Sequence, residues 1–185
     1  QYTQAELTSL CNELTDHLNA LSDSLDRDSD GLADMGKDLQ DRARAAMFSL
    51  GATYPELSGY YPQPKGLLFP AFLSVQNLSG IYSPFTIEAN YNSAMVSYNL
   101  PFTICHELSH LRGFMQEEEA NFIGFLACVN ADDTAFNYSG YLLGWIYATN
   151  ELYEADYDTF VEIYNRLSDN VKADLSANSS FWKRY

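Results

Sequence analysis

Three residues within five positions carry most of the chemistry this sequence can do: His106, Glu107 and His110, in the stretch Cys105-His106-Glu107-Leu108-Ser109-His110. Residues four apart project from one face of a helix, a turn apart, so both imidazoles can reach a single point. Two imidazoles so placed can bind one zinc ion, and a glutamate beside them can act on water at that ion. The chain has three histidines, and two of them stand here. The third, His17, falls among polar residues and reads as a surface histidine.

A catalytic zinc takes three protein ligands and leaves a position for water. With His17 set aside, the third must be a carboxylate, and the run Glu117-Glu118-Glu119 follows on the next helix. Gly113 would turn that helix back and bring its first turn near the histidines. A carboxylate is also favoured at the positive end of a helix. On spacing alone any of the three glutamates could close the site, and a merely solvated helix start is the competing reading.

Glu117-Glu118-Glu119-Ala120-Asn121 resembles the E-x-x-A-[D/N] element of gluzincin metallopeptidases. The resemblance implies Glu117 as the third ligand, with Glu118 the neighbouring alternative. It makes Asn121 a support for a histidine ligand, although many gluzincins have Asp there. Gly80-Ile81-Tyr82-Ser83-Pro84-Phe85-Thr86, Leu100-Pro101-Phe102-Thr103, Arg112-Gly113-Phe114 and Tyr138-Ser139-Gly140-Tyr141-Leu142 extend the likeness over nearly the whole chain. They are similar to a domain-of-unknown-function family of bacterial proteins regarded as zinc metallopeptidases, which usually carry transmembrane helices before the soluble part. The resemblance implies a zincin-like fold, one Zn2+ per chain and a peptide or protein substrate. It also implies a place on the extracytoplasmic face of a bacterial membrane, tethered by a segment outside this one.

In that mechanism Glu107 is the general base, and Tyr82, Tyr138 and Tyr141 are the candidate donors to the oxyanion. Arg112 would hold a substrate carboxylate or, more simply, pair with Glu118 or Glu119. The contrasting function is a catalytically silent zinc domain that binds a peptide or a cell-envelope partner. Glu107 speaks against it, because a structural site has no use for that residue. A non-peptide amidohydrolase would keep the same ligands.

The elements that must position these residues suit an α+β, mostly α-helical single domain over 1–185. Helices are expected over 1–50, an extended and β region over 51–98, and the zinc-binding and C-terminal helices over 99–185. Residues 3–25 show helical apolar spacing, opened by a capping box of Thr3 and Glu6. Asp26, Asp28, Asp30, Gly31 and Asp34 match the first part of a calcium loop, but its twelfth position is Lys37, so a polar linker capping the next helix is the simpler expectation. A second helix over 34–50 should stop at Gly51, and the Pro- and Gly-rich stretch 54–70 should be extended.

Residues 67–69 and 72–75 fit short strands or a helical turn. An antiparallel hairpin is expected between 81–90 and 94–98 across 91–93, with Pro84 at an edge and 86–90 along the cleft. Pro101 opens the motif's helix, turning Phe102, Cys105, Leu108 and Ser109 to the core. Further helices are expected over about 115–130, 135–150, 153–167 and 169–177.

Composition bounds the rest. A net charge of −15 argues against nucleic acid and anionic lipid as main partners, since phosphates are bound by Lys and Arg. No apolar run approaches the roughly 18–20 residues that span a membrane. Cys11, Cys105 and Cys128 are odd in number, which excludes a complete internal disulfide framework, and each lies in an apolar helical pattern as a buried thiol would.

Overall fold

A computed structural model describes residues 2–67, 70–76, 78–83, 86 and 88–185, without the side chains of 70–72. Among these residues the chain forms eight helices and a small three-stranded sheet, the α+β, mostly helical class that the patterning predicts.

Local capping sets most of the helix starts. Thr3 and Glu6 form the reciprocal capping box of α1 (Gln4–Ser22). Asp133 accepts the amides of Ala135 and Phe136 at the head of α6 (Thr134–Ala155), Asp156 caps α7 (Tyr157–Arg166), and Ser168 caps α8 (Asp169–Trp182). Each cap offers an acceptor to an amide that has no partner within the helix.

The second helix departs from expectation at both ends. It is α2 (Leu39–Thr53), beginning five residues late and running through Gly51. Asp34 turns its carboxylate onto the Gly36 amide instead of opening a helix. Pro55, which disfavours helical backbone in the residue before it, ends the helix at Tyr54. In the acidic loop before α2, Arg27 and Ala33 bridge through their backbones, and the Asp28 carboxylate accepts the amides of Asp30 and Leu32.

The sheet also differs. β1 (Lys65–Gly66), β2 (Gly80–Ser83) and β3 (Glu88–Tyr91) lie in the order β1-β3-β2, with β1 parallel and β2 antiparallel to β3. The hairpin therefore joins 80–83 to 88–91, and 94–98 form turns instead of its second strand. Asn92 closes that turn region by accepting the Ala94 amide and bonding Ser74. Of the stretch expected along the cleft, 86–90, residues 88–90 belong to the central strand, and β1 and β2 form the two edges of the sheet. Leu68, Phe69, Pro84, Phe85 and Ile87, on which parts of the strand expectations fall, lie outside the described residues. Residues 70–75 form a short helix, α3 (Pro70–Val75).

The motif helix α4 (Asn99–His110) packs against α2, α6, the sheet and α5 (Glu117–Val129). It has no side-chain cap of its own. Ser139 of α6 accepts the Phe102 amide and donates to the Tyr98 carbonyl, supplying the missing partner from across the core. One apolar cluster gathers around α2, α4 and α5, and a second around α1, α6, α7 and α8. All three cysteines are free and buried.

Candidate metal centre

Helical spacing places His106 and His110 side by side, with their Nε2 atoms 3.1 Å apart. Leu111, Arg112 and Gly113 then make a tight turn, which the positive φ of Gly113 (92°) permits. This reversal sets the first residue of α5 against the last turn of α4. Glu117 Oε2 lies 3.2 Å from His106 Nε2, and Glu117 Oε1 lies 3.7 Å from His110 Nε2. These are the residues among those described whose ligand atoms cluster as a metal would require. Glu118 and Glu119 are exposed and do not line the cleft.

The helices come this close partly because of Gly124 on α5, where a Cβ would meet the His106 backbone at 3.3 Å. His110 Nδ1 lies 2.7 Å from the Phe114 carbonyl, which can only accept, so Nδ1 carries the proton and the Nε2 lone pair faces Glu117. His106 is held neutral chiefly by burial, then by His110, so its lone pair is available near neutral pH. Asn121 stands close enough to raise the basicity of that ring, while Nδ1 itself has no hydrogen bond of normal geometry.

Glu107 is 5% exposed, and its Oε2 has no hydrogen-bond partner. Burial, and secondarily the charge of Glu117, pushes its carboxyl up to about 8. Gly80, the first residue of β2, packs directly on this carboxylate, and a Cβ there would fall 2.2 Å from Oε1. Sequence patterning gave no hint of that role, because the contact joins residues 27 positions apart through the tertiary fold.

His106, Glu107, His110 and Glu117 line one cleft of about 640 Å³, a size suited to a ligand site. Of the three tyrosines proposed for the oxyanion, Tyr82 lines the cleft, its ring 6.1 Å from that of His110. Tyr138 does not: it is fully buried and donates its hydroxyl to Asp174 at 2.5 Å. Tyr141 stacks on His17 at 4.7 Å, outside the cleft. Tyr147, which no motif marks, does line it, and burial raises its hydroxyl pKa. Arg112 makes no ion pair with Glu118 or Glu119. Its guanidinium lies over the Tyr61 ring and against Gly59, on the side of the α4 turn packed on the 55–61 segment.

Residues 1–185 match the family described as protein of unknown function (DUF3810). The chain belongs to that family. No curated protein and no solved structure matches it.

Proposed function

We propose that this domain is a zinc-dependent peptide-bond hydrolase in which His106, His110 and Glu117 hold the metal and Glu107 is the general base. The observation that carries the proposal is the buried Glu107 carboxylate, which faces the cleft beside the triad with one oxygen unpartnered. A fold keeps such a group at a cost unless it has chemistry to do.

The donor set fits the ion. Ligand bonds of about 2.0–2.1 Å in a tetrahedron put donor atoms about 3.3 Å apart. The two imidazole nitrogens are 3.1 Å apart, Glu117 reaches one with Oε2 at 3.2 Å and the other with Oε1 at 3.7 Å, and one donor atom from each residue lies within 4.8 Å of the others. Two imidazoles and one carboxylate suit zinc better than calcium or magnesium, which prefer oxygen throughout. Zinc bound there supplies Lewis acidity toward the scissile carbonyl and toward water.

The chain's own residues supply the proton chemistry. Opposite a cation Glu107 ionises, accepts a proton from the attacking water and returns it to the leaving amine. Tyr82 and Tyr147 are the cleft hydroxyls able to donate to an oxyanion. The free edge of β2, with Gly80, Ile81 and Tyr82 along the cleft, suits an extended peptide laid beside it. We place the domain on the extracytoplasmic face of a bacterial membrane on the family resemblance in the sequence alone. No helix among the described residues is long and apolar enough to cross one.

Metal analysis and a peptide-library assay on one set of variants test this. The native chain should hold about one zinc, lost in His106→Ala and His110→Ala. Glu107→Gln should keep zinc and cleave about 10²–10⁴-fold more slowly. A zinc-loaded native protein that binds peptides and cleaves none would establish the silent binding domain instead.

A further inference from the structure

A second cavity, of about 600 Å³, lies beside the metal cleft between α1, α5 and α6. The two share Phe102, Asn121 and Tyr147 as a common wall. Phe102 belongs to the core at 5% exposed, whereas Tyr147 is 49% exposed with its ring 6.5 Å from that of Phe102. Tyr147 thus stands half-exposed on the boundary between the two cavities, where an occupant of either can touch it.

Beyond this boundary the groove is apolar. Leu7 and Leu10 of α1 face Phe122 and Phe125 of α5, and Leu10 and Phe122 are 47% and 60% exposed. Gly144 of α6 gives the groove its shape, because a Cβ there would meet the Phe125 ring at 2.8 Å. Apolar surface held open to water in a concave site favours an apolar occupant.

Charge limits what can accompany that occupant. Among the described residues no Lys or Arg lines either cavity. Glu6 and Glu151 stand in the groove, on a chain of net charge −15. An acidic ligand would be repelled and a basic one drawn in.

Resting on the hydrolase reading above, we propose that the groove receives a bulky apolar side chain of the peptide substrate, flanked by basic residues, while the peptide backbone crosses the metal cleft. Tyr147 and Phe122 then set specificity from opposite ends of the groove.

The test uses four ten-residue peptides that differ only in a central Phe or Ser and in flanking Lys or Glu. Binding is measured by fluorescence anisotropy to the metal-free native protein and to zinc-loaded Glu107→Gln. Turnover does not enter, so this preference can fail with hydrolysis intact, and hydrolysis can fail with the preference intact. The Phe/Lys peptide should bind at least about tenfold more tightly than Ser/Lys. It should also bind more tightly than Phe/Glu, by a margin that shrinks with added salt. Leu10→Ser and Phe122→Ser, at exposed positions, should each cut the preference for Phe to under about threefold without changing zinc content. Equal binding of the Phe and Ser peptides, or a preference unchanged in both variants, would overturn the proposal. So would a concentration-dependent dimer broken by the same substitutions, which would give the groove to a second copy of this chain.

Discussion

Asp174 and Glu107 are both carboxylates on helices, both nearly removed from water, and their surroundings could hardly differ more. Asp174, fully buried on α8, accepts from Arg27 Nη1 at 2.8 Å, the Ala33 amide at 2.9 Å and the Tyr138 hydroxyl at 2.5 Å. It ties the acidic loop after α1 to α6 and α8. Glu107 on α4 has one oxygen without a partner and the other packed against a glycine. A buried acid surrounded by donors is part of the structure. A buried acid left without them is costly, and its place beside three potential ligands gives that cost a use.

The sharpest way to break this contrast is to remove the satisfied member. Asp174→Ala would strand the Arg27 guanidinium, whose Nε and Nη2 already lack partners, in a buried site. Breaking such a pair should cost about 3–5 kcal/mol. Thermal or denaturant unfolding would show this, with zinc content of the folded fraction unchanged. A loss below about 1 kcal/mol would mean that Asp174 is not the structural half of the comparison.

The unsatisfied member should reveal itself through pH. In the metal-free protein the Glu107 carboxyl is raised from 4.5 to about 8, so the folded state keeps a proton that the unfolded state loses. Its contribution to stability is therefore present at low pH and declines as pH rises from 4.5 toward 8. His106, lowered from 6.5, works in the opposite sense below that value, because the unfolded chain protonates it first. From pH 6.5 upward the His106 effect fades as the unfolded imidazole loses its proton, Glu107 dominates above about pH 7, and stability should fall toward pH 8 by up to about 1.4 kcal/mol per pH unit. Unfolding midpoints at pH 6.5, 7.25 and 8 measure it, and Glu107→Gln should flatten the trend. A native profile as flat as that of the variant would contradict the burial assigned to this carboxylate.

The smallest effect on stability should come from Gly80→Ala. The added Cβ would lie 2.2 Å from Oε1 and 2.7 Å from Cγ of the buried Glu107, so the whole side chain must shift, at a cost of about 1 kcal/mol because Oε2 has no hydrogen bond to lose. Hydrolysis should still fall about tenfold, because the displaced carboxylate no longer faces the attacking water. Unchanged hydrolysis would show that β2 does not position Glu107.

What could be read from the sequence follows the range of the interactions. The caps at Thr3, Asp133 and Ser168 act over two or three residues, and helix starts at these points were legible, whereas the break expected at 150–153 falls instead at Asp156, because α6 runs on to Ala155. The start of α2 was not, because Asp34 bonds in a turn that competes with helix, and Arg42 reaches back to the Met35 and Lys37 carbonyls while pairing with Asp133. The hairpin was placed one strand too late. Alternation of apolar residues cannot distinguish a strand from the turn region that Asn92 holds to Ser74.

The sequence by itself determined that His106 and His110 share a helix face and that a glycine turn brings an acidic helix start near them. Spacing left Glu117, Glu118 and Glu119 open, and the packing of α5 on α4 at Gly124 helps set Glu117 against the histidines. Only the tertiary structure decided which groups surround them. It buried Tyr138 against Asp174, took Arg112 to Tyr61, brought Gly80 onto Glu107 and set Tyr147 between the cleft and the apolar groove. Those contacts join residues far apart in the chain, and their pairing is set by how helices and sheet pack, which no spacing along the sequence records.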